Sequence, residues 1–168
     1  MKLFQNHLLL LCWLYCLICD SVSLKLTSIT SFRVVILTWN RPDSLRRLLK
    51  SLANSDYNFL KDNPKWNITV EIRIDGGGGY NGGIVKKLAE QWQCRFGSKR
   101  VVVSQVNHGV VGSWKAAWRP KSGELFAVFE DDAEVSSQWF RWLVAMWLVY
   151  GERHDLAAIS LQRQREVL

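Results

Sequence analysis

Cysteine is nearly absent from the sequence once its first 23 residues are set aside. Three of the four cysteines, Cys12, Cys16 and Cys19, lie in that N-terminal stretch, and Cys94 alone remains in the rest of the chain. A single cysteine excludes an intrachain disulfide framework. The length of 168 residues and the 48% hydrophobic content instead allow one domain with a buried core.

Long blocks of basic residues are also missing. The net charge is +7, but the lysines and arginines are scattered along the chain. This pattern excludes a basic arm for nucleic acid and indicates a solvated basic surface. Such a surface suits nucleotides, other polyanions or acidic membranes.

No apolar run is long enough for an ordinary membrane span. The longest, Leu8 to Cys19, falls short of the roughly 20 residues that a span needs. With Lys2 before it and small polar residues after it, residues 1–23 have the layout of a secretory signal peptide, with an uncleaved signal anchor as the alternative. We therefore expect a secreted or single-pass membrane protein of the ER or Golgi. The sequon Asn67-Ile68-Thr69 adds mild support and predicts a glycoprotein.

Apolar, β-branched runs alternate with helical patterns along the rest of the chain. Strands are predicted over 33–38, 68–74, 101–104, 125–129 and 156–160. Two of the intervening helices are predicted from their apolar spacing, one with Leu45, Leu48, Leu49 and Leu52 on its buried side and one with Ile84, Leu88 and Trp92 there. The alternation predicts an α/β fold whose mostly parallel sheet carries helices on both faces.

Polar residues follow three of the predicted strands. They are Asn40 and Arg41 after the first, Asp75 after the second, and the triplet Glu130-Asp131-Asp132 after the fourth. Because ligands of parallel sheets collect at the carboxyl ends of strands, we expect these side chains along one edge.

The glycine cluster after the second strand formally satisfies G-x-G-x-x-G from Gly77 to Gly82. A dinucleotide site would also need an acid about 20 residues later to hold a ribose, and the next strand ends without one. The Lys-Ser/Thr pair of a P-loop is absent as well. The cluster is better explained as a flexible turn that places Asp75 at a nucleotide, with a turn that binds nothing as the alternative.

The acidic triplet calls for neutralisation, because three adjacent carboxylates beside a buried strand repel one another. Mg²⁺ and Mn²⁺ are commonly held by one or two protein carboxylates together with substrate phosphates. The spacing of an EF-hand calcium loop is absent. The alternative is a solvated loop whose acids cap the following helix.

Four segments in a fixed order extend the interpretation: VVILTWNRPDSLRRLLKSL, VEIRIDGG, VVVSQVNHGVVGSWKAAW and LFAVFEDDAEVSSQWFRWL. From about Arg33 to about Gln162 the chain resembles the GT-A nucleotide-sugar glycosyltransferases, and most of all N-acetylglucosaminyltransferase I and its relatives. The resemblance implies a Rossmann-like GT-A sheet in a partial nucleotide-sugar-binding domain over 32–168. It also implies a UDP-sugar donor, with UDP-GlcNAc favoured, Mn²⁺ or Mg²⁺, and a glycan or glycoprotein acceptor.

The resemblance further implies donor-binding roles for six residues. They are Asp132 as the metal ligand, Glu130 and Asp131 around the ribose, diphosphate and sugar, Arg41 near the nucleotide, Asp75 on the uracil base and His108 beside the uridine. The residue chemistry agrees, since a carboxylate accepts from a base N–H and an arginine meets phosphate. Each residue also has a local alternative: Arg41 pairing nearby, Asp75 ordering its turn, and His108 an ordinary loop residue.

A catalytic base is not identifiable. In inverting members of the family, a carboxylate from the C-terminal half, beyond the matched segments, deprotonates the acceptor. Here the chain stops at Leu168, and nothing marks Asp155 or Glu166 for that role. We therefore expect a C-terminally truncated domain, with enzymatic activity uncertain.

The alternative function is a non-catalytic remnant that binds nucleotide weakly or packs against a partner. Its signature would be an exposed apolar patch. Trp139, Trp142 and Trp147 are the candidates, because one helix face cannot hide all three.

Overall fold

The computed structural model of the chain describes residues 31–77, 79–117, 119, 121 and 123–161. The predicted leader at 1–23 and Glu166 lie outside these residues. The elements alternate in the order β1 Ser31–Thr38, α1 Pro42–Ala53, α2 Phe59–Asp62, β2 Asn67–Ile74, α3 Gly82–Gln91, β3 Ser98–Val103, α4 Gly109–Ala117, β4 Glu124–Glu130 and α5 Trp139–Tyr150.

The strands form one parallel sheet in the order β3-β2-β1-β4. This arrangement confirms the predicted α/β fold. β1 is a central strand, and every residue from Val34 to Thr38 is buried. A strand that is covered on both faces has an almost continuous apolar sequence, which explains the segment RVVILT.

One face of the sheet carries most of the core. The predicted leucines of α1 are all buried there, together with alternate residues of β1 and β2. The face of α3 differs from the prediction by one position, because Val85 and Ala89 are buried whereas Ile84 is 48% exposed. Leu88 and Trp92 pack beside them, so the buried stripe is i, i+3, i+4, i+7 from Val85.

The opposite face of the sheet is apolar on one half and polar on the other. On β1 and β4 it holds a small cluster of Val35, Leu37 and Ala117, the last from α4. On β2 and β3 it holds Glu71, which is buried and pairs with Arg73 at 2.6 Å. We call this second half, made of Thr69, Glu71, Arg73, Ser98 and Arg100, the polar half-face.

The segment 156–160 forms no strand in the structure, so that prediction is wrong. A strand is stable only when a neighbour pairs with its backbone. The described sheet has four strands and none of them pairs with this segment. Ala157 and Ala158 are exposed instead of buried, which shows that their apolar character alone did not indicate a core strand.

The tryptophans of α5 fall in different environments. Trp139 is buried against Phe32 and Phe129, so it cannot belong to an exposed patch as predicted. Trp147 is partly buried, whereas Trp142 is 42% exposed. No helix of the described residues has both the length and the apolar character to cross a membrane.

The burial of Tyr57 predicts that the free energy of unfolding changes with pH in the alkaline range. Its ring stacks on Phe96 and its hydroxyl donates to the Leu52 carbonyl at 2.9 Å, and burial raises the pKa of the phenol well above 10.0. Above that pH the unfolded chain releases the phenol proton while the folded chain keeps it, so the free energy of unfolding falls as pH rises. We expect Tyr57→Phe to lower the free energy of unfolding by about 1 kcal/mol at neutral pH, because the hydrogen bond to the Leu52 carbonyl is missing. The free energy of unfolding of this variant should then fall less steeply than that of the wild type as the pH rises above 10.0.

Urea unfolding between pH 8 and pH 11 measures this effect. Tyr80→Phe is the control, because Tyr80 is 95% exposed and should retain the wild-type decline. Equal declines in the wild type and Tyr57→Phe would contradict the assignment.

Candidate functional site

The carboxyl ends of β1, β2 and β4 meet at one edge of the sheet. The Asp75 amide donates to the Thr38 carbonyl at 2.9 Å, and the Asp131 amide donates to the Leu37 carbonyl at 3.0 Å. The parallel register pairs Leu37 with Glu130, so the acidic triplet emerges beside the end of β1. The sheet therefore brings the residues predicted from different segments to one place.

Asp131 is the buried member of the triplet. Its side chain is fully buried, and the Thr38 hydroxyl donates to Oδ2 at 2.7 Å. Arg41 Nη2 lies 2.5 Å from Oδ1 as an ion pair, although the two groups are not aligned for a hydrogen bond. A buried carboxylate needs such compensation, because desolvation disfavours its charged form.

Asp132 is the accessible member of the triplet. Arg41 Nη1 donates to its Oδ2 at 2.9 Å, and the two side chains are 53% and 52% exposed. Partial burial of the guanidinium lowers its pKa, but Asp131 and Asp132 together outweigh that effect and raise the pKa of Arg41. Arg41 therefore bridges one buried and one accessible carboxylate.

Glu130 faces α4. The Trp114 indole N–H donates to Glu130 Oε1 at 2.9 Å. Sequence reasoning quoted the segment that holds Trp114 without assigning it a role. No pattern in the sequence indicates this contact, because it depends on where α4 lies relative to β4.

Asp75 is committed to backbone donors. Its two carboxylate oxygens accept hydrogen bonds from the amides of Gly76, His108 and Gly109, at 2.9 to 3.1 Å. Gly109 is the first residue of α4, so the carboxylate lies at the positive end of that helix. These contacts match the alternative in which Asp75 orders its own turn. They also use much of the hydrogen-bond acceptor capacity of the carboxylate.

His108 contacts Asp75 through a hydrogen bond from its backbone amide. The Asp75 carboxylate accepts from its amide, and the residue as a whole is exposed. The structure thus places His108 at the edge where its imidazole is accessible to a ligand.

The glycine turn is tied to the end of β1. The Asn81 amide donates to Asn40 Oδ1 at 3.1 Å, and Gly77 and Gly79 have positive φ values of 64° and 54°. Only glycine adopts this backbone readily, which accounts for the cluster as a tight turn. Asn81 and Thr38 are site contacts that sequence reasoning did not single out.

Gly76 is the most constrained position of the turn. A Cβ there would lie 2.4 Å from the Val106 carbonyl carbon, and that neighbour is backbone. We expect Gly76→Ala to destabilise the fold by about 2 kcal/mol, through overpacking. Urea unfolding measures the change.

Gly83→Ala is the matched control. Nothing lies within 4 Å of a Cβ at Gly83, which is inside α3. This variant should gain up to about 1 kcal/mol from the better helix propensity of alanine. Equal effects at the two positions would contradict the close approach of the Gly76 and Val106 backbones.

A divalent cation would have few protein ligands here. The described residues contain no group of three or more His, Cys, Asp or Glu placed to hold a metal. The half-exposed carboxylate of Asp132, beside the buried one of Asp131, is nevertheless a hard-oxygen donor of the kind that Mg²⁺ and Mn²⁺ bind. These residues fit a cation that takes its remaining ligands from a diphosphate.

Comparisons with known proteins show which family and fold the chain resembles. The family profile described as Glycosyl transferase family 2 matches residues 33–159. A crystal structure of S. aureus TarS superposes with a TM-score of 0.51 at 22% identity, over 70% of this chain and 19% of that chain. A second structure, TarS 1-349, gives a TM-score of 0.48 at 21% identity, over 70% and 32% of the two chains. A search of curated proteins finds no significant match. The first of these structures supports the GT-A fold, and the chain spans about a fifth of its length.

Proposed function

The chain belongs to glycosyl transferase family 2, and from that membership we propose that it binds a UDP-sugar with a divalent cation for transfer to a glycan or glycoprotein. The family implies a nucleotide-sugar donor. UDP-GlcNAc as the preferred donor, Mn²⁺ or Mg²⁺ as the cation and an inverting reaction are our finer proposals. They rest on the likeness of four segments to N-acetylglucosaminyltransferase I.

The arrangement of Arg41, Asp131 and Asp132 carries the proposal. Two carboxylates of the triplet, Asp131 and Asp132, pair with one guanidinium, so this part of the site has excess negative charge. Asp131 is buried and held by Thr38, which fixes the loop, while Asp132 remains accessible. Such an edge attracts a divalent cation, and Asp132 would be its protein ligand.

Donor binding would replace the ion pair between Arg41 and Asp132. The accessible carboxylate would bind the cation, and the guanidinium would keep its ion pair with Asp131 while its Nη1 meets the diphosphate. When bound, the cation supplies Lewis-acid stabilisation to the departing diphosphate. Glu130 would take the ribose or sugar hydroxyls, and His108 would flank the uridine.

Asp75 has two proposed roles that compete for the same oxygens. Its carboxylate accepts hydrogen bonds from the His108 and Gly109 amides at the start of α4. Pairing with uracil would require one oxygen to give up part of that set. We propose that Asp75 accepts a hydrogen bond from the uracil N–H while it still accepts the one from the Gly109 amide.

Asp155 is not arranged as the catalytic base. Its carboxylate accepts two hydrogen bonds from Arg153, at 2.9 and 2.6 Å, and these bonds lower the pKa of Asp155. A base needs a pKa nearer the working pH. We therefore propose that a carboxylate other than Asp155 deprotonates the acceptor.

The proposed location is the secretory pathway, in the ER or Golgi. It rests on the sequence of residues 1–23, which would act as a signal peptide or as a membrane anchor. Acceptor glycans and glycoproteins are met in that pathway, which is consistent with the proposed transfer.

Calorimetric titration of UDP-GlcNAc, with and without Mn²⁺, tests the proposal. We expect binding that requires the cation, and release of UDP if the chain also turns the donor over. UDP-glucose and GDP-mannose serve as matched donors for sugar and base specificity. Absence of any cation-dependent binding would reject the proposal.

The non-catalytic alternative is favoured by one observation. Val110, Val111 and Trp114 of α4 are exposed apolar side chains on neighbouring turns, and Val106 before the helix is exposed as well. Patches of this kind mark contacts with other protein. The alternative would be supported if the chain binds neither cation nor donor, and if these apolar side chains become buried when it forms a complex with another protein.

A further inference from the structure

The triplet Asn67-Ile68-Thr69 opens strand β2. It is the sole Asn-X-Ser/Thr triplet among the 168 residues. Asn67 is exposed, whereas Ile68 is buried in the core at 1% exposure. Since successive side chains of a strand alternate between faces, Asn67 points away from the core.

Asn67 shares its side of β2 with the polar half-face. Thr69 Oγ1 and Ser98 Oγ are 2.9 Å apart, and Glu71 lies between Arg73 and Arg100, at 2.6 and 3.9 Å. These polar and charged groups pair with one another, so this part of the sheet presents a hydrophilic surface. A hydrophilic oligosaccharide on Asn67 would therefore lie over a surface already suited to water.

Asn67 is also remote from the candidate site. It begins β2, whereas Asp75 follows the carboxyl end of the same strand. The eight residues of the strand separate the two ends by roughly 25 Å. A glycan on Asn67 thus leaves the donor edge accessible.

We propose that Asn67 carries an N-linked glycan, added as the chain enters the secretory pathway. Asn67 Nδ2 would form a bond to the anomeric carbon of an oligosaccharide carried on a lipid diphosphate. The bond from that carbon to the phosphate oxygen breaks, the lipid diphosphate leaves with the electron pair, and the amide proton passes to water. The proposal rests on the secretory entry proposed above, and it is independent of donor binding.

Translation of the full chain with ER microsomes tests the proposal. Protease protection reports entry into the lumen, and an endoglycosidase-sensitive mobility shift reports the glycan. We expect a protected chain with one shift in the wild type and in Thr69→Ser, and no shift in Asn67→Gln or Thr69→Ala. Thr69→Ser retains both the sequon and a hydroxyl opposite Ser98, so it is the matched control for Thr69→Ala.

Three results would overturn the proposal. They are a protected wild-type chain without a shift, a chain that stays accessible to protease, and a shift that persists in Asn67→Gln. A failed UDP-GlcNAc titration is a separate result, because neither microsome readout depends on the donor site.

Discussion

Asp132→Asn is expected to weaken cation-dependent binding of UDP-GlcNAc by about 100-fold or more. Asparagine keeps the size of the side chain but removes the charge that a hard divalent cation requires. The Arg41 contact at 2.9 Å is half exposed, so its loss should change the free energy of unfolding by less than about 1 kcal/mol. The variant therefore separates binding from folding. Calorimetric titration with Mn²⁺ measures the first quantity and urea unfolding the second.

Glu134→Gln is the control for Asp132→Asn. Glu134 is an exposed acid of the same loop, and it pairs with Arg47 at 3.2 Å, away from Asp131. Its neutralisation should leave donor affinity unchanged within about twofold, because only long-range screened charge is lost. Loss of affinity in both variants would attribute the effect to overall charge, and an unaltered Asp132→Asn would remove Asp132 from the metal role.

Arg41→Ala is expected to destabilise the fold by about 3 kcal/mol at neutral pH, because it leaves the Asp131 carboxylate buried without a cation. Asp131→Asn should destabilise the fold much less. Arg41 is 53% exposed and remains solvated without its partner, and an amide oxygen can still accept from the Thr38 hydroxyl. The cost of breaking this pair thus depends on which partner is removed.

The double variant Arg41→Ala with Asp131→Asn tests that asymmetry. It should recover most of the stability lost in Arg41→Ala, since no unpaired charge stays buried. Arg47→Ala is the surface control, with an expected change within about 0.5 kcal/mol. Additive losses in the double variant would show that the buried carboxylate is not the source of the effect.

The sequence predicted the sheet edge well, because its signals are local. A β-branched run such as 33–38 indicates a strand, and parallel strands place their carboxyl ends together without further information. That rule sufficed to bring Arg41 and the acidic triplet to one place. The sequence did not indicate that Arg41 pairs with Asp131 or that the Thr38 hydroxyl donates to it.

Contacts that depend on loop paths were not predictable in the same way. The hydrogen bonds from His108 and Gly109 to Asp75 arise from the course of residues 104–108, and the Trp114 contact arises from the placement of α4. Neither leaves a periodic signal. The strand predicted at 156–160 failed for a related reason, since apolar content does not say whether a partner strand is within reach.

The central position of β1 has a consequence for biosynthesis. β1 pairs with β4, and Thr38 at the end of β1 bonds to Asp131, which directly follows β4 and lies 93 residues later in the chain. A ribosome must therefore deliver most of the domain before the strand is enclosed on both edges. Until then the nascent chain exposes an apolar strand with an unpaired edge, which is prone to aggregate. We therefore expect residues 31–38 to be a chaperone-binding segment during synthesis.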